Sequence, residues 1–126
     1  MTQLISVVIP FRNSEDTIRK CVKSVLSQDY PALELILVDD YSDDQSSNYA
    51  RWFAKNYKQV FYYRLNSNVG VSAARNYGAS KSSGSFLTFL DSDDFYLSHS
   101  KISHSISRFF SCCRDNLLAD NLIIYS

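Results

Sequence analysis

Apolar residues along the chain fall into short runs separated by stretches in which they recur every three or four positions. The first run, ISVVIP at 5–10, is rich in β-branched residues and too short for a helix, so it predicts a buried strand. The run LELILV at 33–38 has the same character. Further strands are predicted at 60–64, 85–90 and 122–125.

The stretches between these runs predict helices. Asn13 or Ser14 is expected to cap the first helix, and Pro31 follows its end. Its apolar residues at helical spacing are Ile18, Val22, Val25 and Leu26. Helices are also predicted at 45–58, with the stripe Tyr49, Trp52, Phe53 and Tyr57, at 71–81, and at 101–113, with the face Ile102, Ile106, Phe109, Phe110 and Cys113.

Strands and helices thus alternate along the chain. Parallel strands need crossover connections, which helices of this length supply. The pattern predicts an α/β fold, a mostly parallel sheet with helices on both faces. The 126 residues are the size of one domain, and no repeat or linker divides them.

Charge and cysteine content limit the expected partners and cellular location of the protein. Because 13 basic residues offset 13 acidic ones, no overall field attracts nucleic acid or an anionic membrane. The cysteines, Cys21, Cys112 and Cys113, lack the spacing of metal ligands, which favours a reducing, cytoplasmic location. The start of the chain has no basic leader, and no run approaches the roughly twenty apolar residues of a membrane span. We therefore expect a soluble protein.

Polar residues collect where the strands end, the edge at which open parallel sheets bind ligands. PFRN at 10–13 follows the first strand, DDYSDD at 39–44 the second and DSDD at 91–94 the fourth. So many carboxylates at one edge repel one another unless a cation or hydrogen-bond donors offset them. Asp91, Ser92 and Asp93 offer the hard oxygen ligands that Mg²⁺ or Mn²⁺ takes, although an acidic turn that caps the next helix has the same composition.

Two further features allow a binding or a structural interpretation. Asp39 and Asp40 either cap the following helix or accept a hydrogen from a nucleobase. SAARN at 72–76 begins a helix whose N–H groups and Arg75 suit a diphosphate. An arginine in a helix is more often a solvated or ion-paired surface residue. The residues alone leave both choices open.

The chain resembles family 2 glycosyltransferases in five successive motifs: ISVVIPFRN, TIRKCVKSVLSQDYP, LELILVDDYSDD, NVGVSAARNYG and SFLTFLDSDDF. The resemblance is strongest over 5–94 and continues weakly to 125. It implies a Rossmann-like GT-A fold and an inverting mechanism. The implied donor is a nucleoside diphosphate sugar, in the first place a UDP-sugar, held with Mn²⁺ or Mg²⁺. The implied acceptor is a saccharide or a lipid-linked saccharide, and the implied location is the inner face of the membrane.

The resemblance also implies roles for individual positions. Those near the base and ribose are Pro10, Phe11, Asn13, Asp39 and Asp40, and those near the diphosphate and metal are Arg75, Asp91, Ser92 and Asp93. Asp40 would bond the base, and Asp93 would be the principal metal ligand. Asp94 is left between metal support and helix capping. Arg12 stands where the family usually has an aromatic residue, and Ser98 where a proline often follows the acidic motif.

Family members continue into an acceptor-binding half that supplies the general base. We expect that half, and any peripheral membrane contact, to lie outside these 126 residues. Asp115 and Asp120 suit solvated or capping positions rather than catalysis. No catalytic residue is therefore assigned, and the chain is expected to bind donor without efficient transfer.

Three other functions fit parts of the pattern. A phosphoacceptor receiver domain has a similar length, but its acidic pair follows the first strand and a lysine follows the fifth. A phosphatase with Asp91 as nucleophile suits the fourth strand end, and the three preceding strand and helix units argue against it. A module that binds nucleotide and transfers nothing is the third alternative.

Overall fold

Strands and helices alternate along the chain in the predicted order. The computed structural model describes residues 3–112 and 122–124. Its elements are β1 (Ile5–Phe11), α1 (Ile18–Leu26), β2 (Leu33–Asp39), α2 (Ser46–Asn56), β3 (Val60–Arg64), α3 (Val71–Lys81), β4 (Phe86–Phe89), α4 (Lys101–Cys112) and β5 (Leu122–Ile124). The predictions that concern Cys113, Asp115, Asp120 and Tyr125 lie outside the described residues. Within the described part of the chain, no helix is long and apolar enough to cross a bilayer.

The strands form one sheet in the order β3-β2-β1-β4-β5. β1 lies at its centre and pairs in parallel with β2 and β4, so that Val7 is level with Leu35 and Thr88. β5 runs antiparallel to β4, which agrees with a mostly parallel sheet. The chain moves outward from β1 to β3 and then returns to β4 on the other side of β1. The carboxyl ends of β1 and β4 therefore flank the point where the strand order reverses, where such sheets bind ligands.

Helices cover both faces of the sheet because side chains of each strand alternate between them. Ile9 and Leu37 point to the face covered by α1, α2 and α4, in a core that includes Val22 and Ile106. The other face packs against α3, and its buried residues are Val8, Ile36, Val38, Ala74 and Leu87. The predicted α/β architecture is confirmed.

The expected cap of the first helix is wrong. α1 begins at Ile18 after Thr17, and no side chain caps it. The Asn13 side chain instead accepts a hydrogen bond from the backbone of Asp43 at 2.9 Å. The Ser14 backbone N–H binds the Ser46 hydroxyl, and the Ser14 hydroxyl contacts the Ser92 hydroxyl and the Arg12 carbonyl, so neither predicted capping side chain binds the start of α1. Tertiary contacts thus override the local preference for capping.

The aromatic stripe of the second helix is only partly a core face. Phe53 is buried, whereas Trp52 has 56% of its surface exposed. The Trp52 ring meets Phe53 edge-on, with ring centroids 5.2 Å apart. Two adjacent residues on a helix diverge by about 100°, so both cannot face the sheet.

Candidate functional site

A cleft of about 550 Å³ opens at the carboxyl edge of the sheet. Segments after β1, β2 and β4 and the start of α3 line it. The predicted site residues that line it are Pro10, Phe11, Asn13, Asp40, Asp91, Ser92 and Asp93. Asp39 and Arg75 are not part of the lining. The three strand ends that the sequence singled out therefore meet, and the cleft falls within the range of about 300–1,000 Å³ that is typical of small-ligand sites.

The turn after β4 gathers three carboxylates. Oxygens of Asp91, Asp93 and Asp94 all lie within 4.8 Å of one another, and the three residues are exposed. The backbone N–H of Asp94 binds the carbonyl of Asp91 at 2.9 Å, which closes the turn. Because α4 does not begin until Lys101, Asp94 does not cap that helix. Hard oxygen donors on an exposed turn match the needs of Mg²⁺ or Mn²⁺, which retain waters and share substrate oxygens.

Residues of α1 and of the loop after β1 form hydrogen bonds with this turn. The Cys21 thiol donates to the Asp91 carbonyl at 3.4 Å, and the hydroxyls of Ser14 and Ser92 are 2.8 Å apart. Burial, followed by the charges of Asp94, Asp91 and Asp93, raises the pKa of Cys21 to about 12. The thiol therefore stays protonated and can donate. This contact was not predicted from the sequence, in which the available signal for Cys21 was its place on the apolar face of the helix.

Asp40 connects the carboxyl end of β2 to the segment before α3 through hydrogen bonds. Its two carboxylate oxygens accept hydrogen bonds from the backbone N–H groups of Val69 at 2.8 Å and Gly70 at 2.9 Å. Gly70 has a φ of 94°, a conformation that glycine adopts without strain. Asp40 is 4% exposed and borders the cleft. It therefore shapes the cleft as well as facing it.

The Asp39 carboxylate lies behind the cleft, fully buried. It accepts hydrogen bonds from the Ser42 N–H at 2.8 Å, the Ser47 hydroxyl, the Tyr62 hydroxyl at 2.6 Å and the Arg64 guanidinium at 3.1 Å. Burial raises the pKa of Asp39, but the hydrogen bonds from Ser47, Tyr62 and Ser42 outweigh it and hold the pKa below its usual value. The structure thus places Asp39 behind the lining of the cleft, where it braces the turn after β2.

The loop after β1 is braced in the same way. The Asn13 N–H donates to the Ser42 hydroxyl at 3.0 Å. Asn13 has a φ of 49°, a conformation that asparagine tolerates better than most residues. Phe11 is buried, and its ring centroid lies 6.5 Å from that of Tyr62. Pro10 and Phe11 form one wall of the cleft, and the next residue, Arg12, is exposed.

Arg75 reaches from α3 to the carboxylate cluster. Its Nη2 lies 2.8 Å from Oδ1 of Asp91. Its Nε is enclosed by protein and has no hydrogen-bond partner among the described residues. The residue that the resemblance places near a diphosphate is therefore held beside the cleft by a predicted metal ligand.

Several residues of the cleft were not singled out from the sequence. Asp16, Asn68, Gly70 and Val71 all contribute to its lining. Asn68 and Gly70 fall within the motif NVGVSAARNYG, and that position was the available signal for them. Asp16 lies before α1 and belongs to none of the groups of residues that the sequence singled out.

Most of this chain is similar in sequence to known glycosyltransferases. Residues 6–109 match the model of the family described as Glycosyl transferase family 2. The uncharacterized glycosyltransferase YibD of Escherichia coli (strain K12) is 39% identical over 93 residues, which are 74% of this chain and 27% of YibD.

Solved structures share the fold. TarS of S. aureus in complex with UDP superimposes with a TM-score of 0.77 at 27% identity, over 86% of this chain and 32% of the TarS chain. PcManGT, a mannosyltransferase from Pyrobaculum calidifontis solved with GDP-Man and Mn²⁺, gives a TM-score of 0.78 at 20% identity, over 84% of this chain and 32% of its own. At that identity the likeness to PcManGT concerns the fold alone. The chain spans about a third or less of each protein compared.

Proposed function

This chain belongs to glycosyl transferase family 2, and we propose that it forms the donor-binding part of an inverting, metal-dependent enzyme. The donor is a nucleoside diphosphate sugar, with UDP as its nucleotide, and the acceptor is a saccharide or a lipid-linked saccharide. The observation that carries the proposal is the cleft itself. A buried carboxylate after β2 and an acidic turn after β4 face one space of about 550 Å³, enough for a nucleoside diphosphate.

Asp40 is the proposed partner of the base. A carboxylate has about four acceptor positions, and the N–H groups of Val69 and Gly70 use one on each oxygen. Each oxygen therefore keeps a position for the imide N–H of uracil. The wall of Pro10 and Phe11 limits how the base can lie. The complex of TarS with UDP, a protein 27% identical to this chain, supports uridine as the nucleoside.

The acidic turn is the proposed metal site. Asp93 and Asp91 would hold Mg²⁺ or Mn²⁺, with Asp94 close enough to contribute, since their oxygens lie within 4.8 Å. When bound together with the diphosphate, such an ion stabilises the charge that develops on the leaving nucleoside diphosphate. The hydrogen bond from Cys21 and the contact between Ser14 and Ser92 hold the turn in place for this task.

Calorimetric titration of the 126-residue chain with UDP, CDP and GDP, each with and without Mn²⁺, tests the proposal. UDP should bind more tightly than CDP by about tenfold or more, because cytosine has no imide N–H to donate to Asp40. Mn²⁺ should tighten every diphosphate. Equal affinity for UDP and CDP would remove the proposed role of Asp40. A chain that binds no diphosphate with Mn²⁺ would contradict donor binding altogether.

We place the general base in the acceptor-binding half that the family resemblance implies, outside these 126 residues, and assign Asp40, Asp91 and Asp93 to the base and the metal. Removal of the acceptor's proton by a positioned base contributes about 10²–10⁴ in rate. The chain should therefore release UDP slowly from UDP-sugars without glycosylating simple sugars. Product analysis with a panel of donors and acceptors measures both reactions. Robust turnover that depends on the acceptor would show that the base lies within these 126 residues.

A further inference from the structure

Asp91 belongs to two interactions that compete for the same oxygens. It is one of the three clustered carboxylates of the proposed metal site, and its Oδ1 also binds Arg75 at 2.8 Å. A metal ion at this turn would sit next to a guanidinium. The positive charge of Arg75 and its hold on Asp91 both disfavour a cation there.

Arg75 is itself incompletely satisfied. A guanidinium presents five donors in a planar fork that matches two oxygens of a phosphate or carboxylate. Here one terminal nitrogen binds Asp91, while Nε is enclosed and, among the described residues, has no hydrogen-bond partner. Arg75 therefore gains hydrogen bonds if an anion draws it away from Asp91.

Resting on the proposed function, we propose that Arg75 couples metal binding to diphosphate binding. Without a diphosphate, Arg75 occupies Asp91 and keeps the affinity for the metal ion low. A diphosphate offers Arg75 a pair of oxygens, and Asp91 is released to the ion. Arg75 is thus a positioning residue that acts on the metal site through Asp91.

The geometry explains why the exchange is feasible. Arg75 and Asp91 are both partly exposed, with 37% and 53% of their side-chain surface accessible. Solvent weakens an ion pair at such a site, so a phosphate can replace it. Arg75 lies on the helix that also supplies Val71 and Ala74 to the cleft, directly after Ala74, and is therefore beside the cleft lining.

Titration of the full chain with Mn²⁺ alone, UDP alone and each in the presence of the other tests the proposal. Arg75→Gln removes the charge and should bind Mn²⁺ alone about fivefold more tightly than the wild type. It should bind UDP alone more weakly. The factor by which UDP tightens Mn²⁺, expected in the range of about 5- to 150-fold for linked sites, should fall in Arg75→Gln but stay above one, because the diphosphate oxygens still ligate the ion directly.

Two further variants separate charge from shape. Arg75→Lys keeps the charge and loses the fork, so Mn²⁺ alone should bind as in the wild type while UDP binds more weakly. Lys55→Gln removes an exposed positive charge from α2 and should change neither titration. Circular dichroism checks folding, and Arg75→Met replaces Arg75→Gln if the glutamine variant is unfolded.

The results distinguish the two claims. If the wild type binds UDP and Mn²⁺ together, but Arg75→Gln neither tightens Mn²⁺ alone nor lowers the coupling factor, only the role of Arg75 is overturned. If the wild type binds no UDP in the presence of Mn²⁺, the proposed function fails and this inference fails with it.

Discussion

The Asp40 carboxylate accepts a hydrogen bond from the backbone N–H of Gly70 at 2.9 Å. This contact joins the end of β2 to the start of α3, two segments that lie 30 positions apart in the chain. The proposed partner of the base and the helix that carries Arg75 are therefore joined directly. Changes at Asp40 should affect both the binding of the nucleoside and the shape of the cleft.

Asp40→Ala should weaken the binding of uridine and of UDP alike, with or without metal, because the proposed partner of Asp40 is the base. It should also lower the free energy of unfolding by about 1–2 kcal/mol, because two partly buried backbone N–H groups lose a charged acceptor. Calorimetry and urea denaturation measure the two effects. Asp43→Ala, which removes an exposed carboxylate from the same loop, is the matched control. Weakening confined to Mn²⁺-containing buffer would contradict the role in base binding.

Asp93→Ala should abolish the part of UDP affinity that depends on Mn²⁺ and leave the fold intact, because Asp93 is exposed on a surface turn. The measurement is UDP affinity across a series of Mn²⁺ concentrations, with a thermal melt as the check on folding. Affinity for UDP without metal should match the wild type. An unchanged response to Mn²⁺ would transfer the metal-binding role to Asp91 or Asp94, and loss of folding would point to a structural role.

Asp39 should contribute to acid sensitivity. Hydrogen bonds hold its folded-state pKa below the unfolded value of about 3.9. Its stabilising contribution is therefore present above that pH and is lost as the pH falls through the folded-state pKa. Asp39→Asn should lower stability at pH 7 by about 2 kcal/mol and make the loss of stability below about pH 5 shallower. Urea denaturation between pH 7 and the acid limit measures both, with Asp43→Asn as control. An identical acid slope in the two variants would show that Asp39 is not a major contributor.

Gly78→Ala should destabilise the protein although alanine favours helices. A Cβ at this position would lie 2.4 Å from Cγ1 of Val8 and 3.0 Å from Cγ2 of Val38, so α3 must move away from the sheet. Such overpacking costs about 1–3 kcal/mol, more than the gain of about 1 kcal/mol from helix propensity. Ser80→Ala, on the exposed side of the same helix, should be neutral or slightly stabilising. A rise in melting temperature for Gly78→Ala would contradict the close packing of α3 on β1.

Local patterns accounted for the order of the elements and for the edge of the sheet at which the cleft opens. The bounds of β3 and α3 agree with the predicted ranges 60–64 and 71–81. Hydrophobic periodicity predicts these features because the spacing of apolar residues along a strand or helix decides which of its faces is buried. Parallel strands then bring their carboxyl ends to one edge, whatever the details of packing.

Only the tertiary structure decided how the adjacent residues Asp39 and Asp40 divide their tasks. Successive side chains of a strand point to opposite faces, so one aspartate must face α2 and the other α3. The connection from β3 to β4 places α3, with Gly70 before it, on the face toward which Asp40 points. The connection from β2 to β3 places Ser47 of α2 on the face of Asp39. The start of α1 and the pairing of Arg75 with Asp91 are of the same kind. Each depends on groups far apart in sequence that packing alone brings together, so no pattern of neighbouring residues encodes them.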